Sequence, residues 1–117
     1  MPAGGKGQTM AWTYLLIASC FEIAFALGLK YTEGFTRLGP SVLTVAAGTA
    51  SFLILSQSLK TLPVGTGYAM WTGIGAVGTA ILGIMLFHEP RDTARLVCIG
   101  LIISGIVGLR LTSTTAD

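Results

Sequence analysis

The stretch that decides the fold is Ala11-Trp12-Thr13-Tyr14-Leu15-Leu16-Ile17-Ala18-Ser19-Cys20-Phe21-Glu22-Ile23-Ala24-Phe25-Ala26-Leu27-Gly28-Leu29. It decides the fold because it is almost wholly apolar. A membrane-spanning helix takes roughly 20 predominantly apolar residues, which is the length of this run. Glu22 lies near its middle, where a charged side chain costs at least ~2.5–3.5 kcal/mol on insertion scales. Glu22 is therefore expected to face a cavity or a partner and to mark a proton or ion pathway. The alternative is a neutral glutamic acid that is hydrogen-bonded between helices for packing alone.

The rest of the chain repeats this apolar pattern. Hydrophobic residues make up 52% of the 117 residues and charged residues 10%, whereas soluble domains are ~25% charged. The composition predicts an all-α integral membrane protein with no room for a soluble catalytic domain, so we expect no enzyme. The first span is too long for the ~7–15-residue apolar core of a signal peptide. The predicted parts are a flexible N-terminal extension at 1–9, a four-helix transmembrane domain at 10–112 with helices at about 11–29, 39–59, 62–87 and 94–111, and a flexible tail at 113–117.

Two connections bear on how these helices pack. The short turn Lys60-Thr61-Leu62-Pro63 predicts that the second and third helices are antiparallel neighbours. The fourth apolar run, Leu96 to Leu109, lies between two arginines and spans about 21 Å at ~1.5 Å per residue, short of a ~30 Å hydrocarbon core. We expect both arginines to extend toward the membrane interfaces. The small residues of this helix favour dimerisation over substrate binding.

The positive charges are nearly balanced across the predicted spans. Three of them fall on the side of the termini and four on the other side: Lys6, Lys60 and Arg110 against Lys30, Arg37, Arg91 and Arg95. Because the excess of Lys and Arg in short loops orients a membrane protein, this balance gives a weak bias. One interpretation is a single orientation fixed by one helix. The other is insertion in both directions, which would permit an antiparallel homodimer.

The third span combines aromatic residues with glycine. Tyr68, Trp71, Thr72 and Gly75 share one helical face, and aromatic faces at membrane depth can hold cations. Gly73-Ile74-Gly75 is a candidate hinge, although glycines also allow close helix packing.

Polar residues on the first two helices are candidates to support Glu22. Ser19 is one turn before it, and Ser51 lies near the middle of the second span. A serine hydroxyl either hydrogen-bonds the carboxylate or satisfies a backbone carbonyl of its own helix. Two scattered cysteines are too few for a metal site, and we expect no metal, no cofactor and no nucleic-acid partner.

Residues 10–112 resemble the small multidrug resistance transporters, and within them the guanidinium exporter branch. The resemblance rests on four motifs, of which the third is the longest: Phe21-Glu22-Ile23, Leu29-Lys30-Tyr31-Thr32-Glu33-Gly34-Phe35-Thr36-Arg37-Leu38, Leu62-Pro63-Val64-Gly65-Thr66-Gly67-Tyr68-Ala69-Met70-Trp71-Thr72-Gly73-Ile74-Gly75 and Gly105-Ile106-Val107-Gly108-Leu109-Arg110. It implies four-helix protomers that pair as antiparallel, dual-topology homodimers in the bacterial inner membrane and export a cation in exchange for protons.

The resemblance also assigns roles to residues. Glu22 matches the carboxylate that binds either protons or substrate, and Ser51 matches a serine hydrogen-bonded to it. The binding-site aromatics correspond to Tyr68 and Trp71, the pocket-supporting positions to Ser19, Phe25 and Thr72, the third-helix bend to Gly73 and Gly75, and the fourth-helix dimer contact to Cys98, Leu101, Ile102 and Gly105.

Three positions depart from the guanidinium branch. Phe25 stands where tryptophan is usual, Gly67 where alanine is usual, and Cys98 where the dimer-contact motif has glycine. The resemblance predicts a proton-coupled exporter of guanidinium and small substituted guanidiniums, and Phe25 predicts relaxed selectivity. Two alternatives stay open: a broad exporter of hydrophobic or quaternary ammonium cations, and a non-transporting membrane subunit or one half of a heterodimeric pair.

Overall fold

The computed structural model describes residues 6–113, which form four α-helices. Each helix contains a segment that is long and apolar enough to cross a membrane. This confirms the predicted all-helical membrane fold. The helices are α1 (Lys6–Tyr31), α2 (Leu38–Ser58), α3 (Val64–Phe87) and α4 (Thr93–Ser113).

Both ends of the predicted transmembrane domain differ from expectation. Helix α1 begins at Lys6, so residues 6–9 are helical, whereas the sequence predicts a flexible extension at 1–9. Ser113, assigned to the tail, is the last residue of α4. The other residues of the two predicted flexible ends, 1–5 and 114–117, lie outside the described residues.

Helix α4 is longer than its apolar core. It runs through both flanking arginines, and its spanning segment of 20 residues covers about 30 Å at ~1.5 Å per residue. The arginines do not end the helix, because arginine is a good helix former. Arg95 pairs with Glu89 of the preceding loop, and the guanidinium carbon of Arg110 lies 4.4 Å from the ring centre of Trp12.

Helix α1 lies between α2 and α3, and α4 packs on the far side of α3. The short turn therefore connects α2 and α3, which meet through side chains such as Ser51 and Trp71 but share far less of their length than the predicted pairing implies. Small residues explain the position of α1: Phe25 packs over Gly48 of α2, and Ile23 packs over Gly78 of α3. The Cα atoms fill a layer 17 Å thick, less than two helix diameters of ~10–12 Å.

Burial is concentrated where these helices meet. The core cluster consists of Ala11, Leu15, Ala18, Leu55, Leu62, Met70 and Trp71. Large apolar side chains cover much of the outer surface, as expected for a chain whose solvent is lipid. Among the described residues of α4, Ile99 alone is buried, so this helix leaves most of its surface uncovered.

Candidate functional site

Glu22 lies on the side of α1 that faces α3. Its side chain passes directly over Gly75, where a Cβ atom would come within 2.8 Å of the Glu22 Cγ atom. Glycine at 75 therefore provides the space through which the carboxylate extends. Among the groups that the structure describes, none donates a hydrogen bond to this carboxylate or forms an ion pair with it. The group is positioned by packing and left available to a ligand.

The carboxylate opens into a groove of about 370 Å³ between α1, α3 and the start of α4. Small side chains from α3 form its floor, which leaves room for a small cation. The lining residues are Glu22, Ala26, Thr72, Gly75, Ala76, Thr79, Ala80, Glu89 and Arg95.

A chain of hydrogen bonds connects three helices one helical turn before Glu22. The Trp71 Nε1–H group donates to Ser51 Oγ at 2.8 Å, and Ser51 Oγ donates to the Ala18 carbonyl oxygen at 2.7 Å. In a regular helix the Ala18 carbonyl also accepts the backbone N–H of Glu22, four residues later. The network therefore fixes the backbone turn from which Glu22 extends.

The hydroxyl groups expected near Glu22 bond elsewhere. Ser51 has one hydroxyl hydrogen and gives it to Ala18, which corrects the expectation that it bonds the Glu22 carboxylate. Ser19 Oγ donates to the Leu15 carbonyl 2.8 Å away in its own helix. Thr72 lines the groove, although its hydroxyl bonds the Tyr68 carbonyl at 2.9 Å.

The aromatic residues of α3 differ in how accessible they are. Trp71 is 3% exposed and packs between Phe52 and Tyr68, whose ring centres lie 5.3 and 5.5 Å from its own. Tyr68 is 54% exposed. Neither Tyr68 nor Trp71 lines the groove of Glu22 within this protomer. The Tyr68 ring therefore has a surface available for a cation, whereas the buried Trp71 ring packs against Tyr68.

Phe25 is separate from the groove as well. Its ring lies on Gly48 of α2, where an added Cβ atom would be 2.7 Å from Phe25 Cδ1. The two side chains of α1 therefore point to different neighbours, with Glu22 against α3 and Phe25 against α2.

Gly73 and Gly75 lie within one continuous helix, Val64–Phe87, and contact opposite partners. A Cβ atom at residue 73 would be 3.0 Å from Ile106 Cγ1 of α4, while residue 75 is covered by Glu22 of α1. Close packing on both sides thus accounts for the two glycines in this conformation. Their role as a hinge stays a prediction.

The predicted dimer-contact residues form an uncovered surface on α4. Leu101 is 66% exposed, Cys98 and Gly105 are exposed, and Ile102 is 39% exposed. A Cβ atom at Gly105 would meet no other atom within 4 Å. The surface is open to a partner or to lipid.

Two charged residues of the groove were not among the predicted site residues. Glu89 and Arg95 lie at the α3–α4 connection and form an ion pair with 3.0 Å between Arg95 Nη2 and Glu89 Oε1. The sequence offers little sign of this pair, because the two residues are six positions apart with a loop between them.

Comparison with known proteins agrees with the motifs. The family model described as Small Multidrug Resistance protein matches residues 10–102. Proteins named Guanidinium exporter from Citrobacter freundii and Salmonella typhimurium are each 57% identical over 104 residues, which cover 89% of this chain and 99% of the relative. The Guanidinium exporter of Yersinia pseudotuberculosis is 55% identical over 104 residues and is covered completely. With its apolar helices and this match, the chain is a multi-pass membrane protein that belongs to the small multidrug resistance family.

Proposed function

We propose that this protein exports guanidinium and small substituted guanidinium cations in exchange for protons across the bacterial inner membrane. The observation that carries the proposal is Glu22, a carboxylate within a spanning segment that opens into a groove with small side chains around it. Relatives named Guanidinium exporter share more than half of the aligned residues. Carboxylates within spanning segments are characteristic of proton and ion pathways.

The chemistry of Glu22 matches both ions. A carboxylate accepts two parallel N–H bonds from a planar guanidinium group, and the same oxygens accept a proton when the cation leaves. Because the two ligands use the same atoms, binding of one displaces the other. Exchange then requires that the site opens to one side of the membrane at a time. Proton and cation move in opposite directions as a result.

The working unit in this proposal is an antiparallel homodimer. A protomer 17 Å thick with an open groove does not enclose a cation by itself, so a second copy would complete the cavity. The exposed stripe at Cys98, Leu101, Ile102 and Gly105 offers small and apolar residues for helix contact. The near balance of positive charges would allow the two copies to insert in opposite orientations.

Within such a dimer, Ser51, Tyr68 and Trp71 would support the binding of substrate at Glu22. The Trp71–Ser51–Ala18 chain would hold the turn of Glu22, and the exposed Tyr68 ring would contribute a cation–π contact. If the two protomers exchange conformations, the side to which the cavity opens also exchanges, as with inverted repeats in larger transporters. Gly73 and Gly75 would absorb the change in α3.

A second candidate function is the export of hydrophobic or quaternary ammonium cations. Phe25 favours it, because phenylalanine lacks the ring N–H by which a tryptophan at this position could order polar groups of the pocket. Such cations have no N–H donors and depend more on apolar and cation–π contacts.

Proton-coupled currents from the purified protein in a membrane test these functions. We expect currents with guanidinium and smaller ones with tetrapropylammonium. Currents with tetrapropylammonium alone would move the assignment to the second candidate. A purified chain without currents for either cation would favour a non-transporting subunit or one half of a heterodimer.

The dimer is tested by labelling a cysteine in the first loop, as in Thr36→Cys, after the exposed native thiols Cys20 and Cys98 are replaced by alanine. Dual insertion predicts that a membrane-impermeant thiol reagent modifies the Thr36→Cys variant from both faces of the membrane. Modification from one face alone would eliminate the antiparallel homodimer.

A further inference from the structure

The connection between α3 and α4 places a second carboxylate, that of Glu89, in the groove of Glu22. Helix α3 ends at Phe87, and the next residue, His88, turns the chain with its left-handed backbone (φ 56°). The Glu89 amide N–H donates to the Gly83 carbonyl oxygen. The Glu89 carboxylate consequently lies over Gly83, where a Cβ atom would be 2.9 Å from its Cδ atom. Glycine at 83 leaves the space that this carboxylate occupies.

Glu22 and Glu89 lie along one helix side. Glu22 covers Gly75 and Glu89 covers Gly83, eight residues later on α3, which corresponds to about 12 Å along the helix. Thr79 lies between the two levels, and all three side chains line the same groove. Glu22 is at the mid-span end and Glu89 is at the end next to the loop.

The group that Glu89 already binds is a guanidinium. Arg95 Nη2 donates to Glu89 Oε1 at 3.0 Å, and the buried Arg95 Nε–H has no hydrogen-bond acceptor. Both side chains are more than a third exposed, and exposed ion pairs contribute little to stability. A free guanidinium ion presents the same planar N–H donors as the arginine head group. It can therefore replace Arg95 at Glu89 at small cost.

We infer that Glu89 is a second guanidinium site at the mouth of the groove, occupied by the Arg95 head group at rest and by the transported cation during its passage to or from Glu22. Arg95 then competes with the substrate: it keeps the carboxylate paired when no substrate is present and yields it when one arrives. This inference rests on the proposed function, because it names an additional step for the same cation.

The two members of the pair therefore have opposite effects on transport. Glu89→Gln removes the outer site, and we expect kcat/KM for guanidinium to fall about tenfold, within the range by which local charge changes capture rates. Arg95→Gln removes the competitor and is expected to raise kcat/KM about two- to threefold. A double variant should behave like Glu89→Gln. If the pair served only to anchor the loop, both single variants would lower the rate alike, and that result would overturn the inference.

A direct binding measurement shows whether guanidinium contacts Glu89 or is only attracted by the negative charge of this residue. In protein carrying Glu22→Gln and Arg95→Gln, guanidinium chloride should still bind weakly in a calorimetric titration, and addition of Glu89→Gln should abolish this binding. Tetramethylammonium, which has no N–H donors, should give no such signal. Equal binding of both cations, or binding that persists without Glu89, would contradict the inference.

The exposed pair between Glu33 and Arg37 provides the matched control. It is also a Glu–Arg pair next to a helix end, with 3.7 Å between Arg37 Nη1 and Glu33 Oε2, but neither residue lines the groove of Glu22. Glu33→Gln should leave guanidinium transport unchanged. If wild-type protein transports guanidinium while the Glu89 and Arg95 variants change in the same direction, the outer site fails and the proposed function stands. If wild-type protein transports no guanidinium, the proposed function itself fails.

Discussion

The buried network at Ala18 and the open groove at Glu22 contrast sharply, although they lie only one helical turn apart along α1. In the network, Ala18, Ser51 and Trp71 are buried and joined by hydrogen bonds at 2.7 and 2.8 Å. At the groove, Glu22 extends over Gly75 into open space. A buried network that is fully satisfied makes a structure rigid. The comparison teaches that this protein fixes the backbone beneath its carboxylate and leaves the carboxylate itself free to change partners.

The largest effect is expected at the open groove. Glu22→Gln keeps the shape of the side chain and removes its ability to carry a charge, so cation–proton exchange should be lost in proteoliposomes. Thermal stability in detergent should be equal to or higher than that of wild type, because an ionisable group inside a membrane is costly. Exchange that survives in this variant would show that the groove is not where the ions bind.

Filling the space under the carboxylate should have the next largest effect. A Cβ atom at Gly75→Ala would lie 2.8 Å from Glu22 Cγ, so the carboxylate must move. We expect guanidinium affinity to fall about tenfold, or roughly 1.4 kcal/mol, as measured by titration. Gly65→Ala is the control. Gly65 lies on the same helix as Gly75, but a Cβ atom there would meet no other atom within 4 Å. Equal affinities for both variants would mean that Gly75 does not position Glu22.

In the buried network, the expected loss is in stability first. Ser51→Ala leaves the Trp71 Nε1–H group without its acceptor and should lower the free energy of unfolding by about 1–2 kcal/mol. Ser58→Ala is the matched control, because Ser58 is equally buried and bonds the Leu55 carbonyl of its own helix, which Leu59 also bonds. It should cost less than about 0.5 kcal/mol. If the two variants were equally stable, the hydrogen bonds between helices at Ser51 would contribute no more to stability than the bond that Ser58 makes within its own helix.

Selectivity should respond least. Phe25→Trp places a larger ring with an N–H donor over Gly48, against α2 and away from the groove within one protomer. We expect discrimination between guanidinium and an alkylated amine to rise about threefold, since one added hydrogen bond contributes ~0.5–1.5 kcal/mol. Competition assays measure this ratio. An unchanged ratio would indicate that this position does not reach the substrate.

The sequence alone was sufficient for the features that depend on composition and local order. The apolar runs predict the membrane helices. Glu22 is recognisable as the candidate carboxylate because it is an isolated charge inside one of these runs. Motif resemblance then indicated the family, which the match over residues 10–102 confirms. These features can be predicted because each depends on one stretch of chain at a time.

The features that required the structure depend on which helices meet. The short turn before Pro63 predicts that α2 and α3 are antiparallel neighbours, yet Gly48 and Gly78 bring α1 between them, so that they meet mainly through side chains such as that of Trp71. The hydroxyl of Ser51 bonds Ala18 on another helix, a choice that spacing within α2 does not determine.

Measurement of proton release on binding tests the central claim most directly, namely that guanidinium and protons compete for the Glu22 carboxylate. Purified protein in weakly buffered detergent solution is mixed with guanidinium chloride while pH is recorded. We predict that wild type releases protons, that the apparent affinity falls as the starting pH is lowered, and that Glu22→Gln releases none. Guanidinium binding without proton release in wild type, or equal release from Glu22→Gln, would contradict the account.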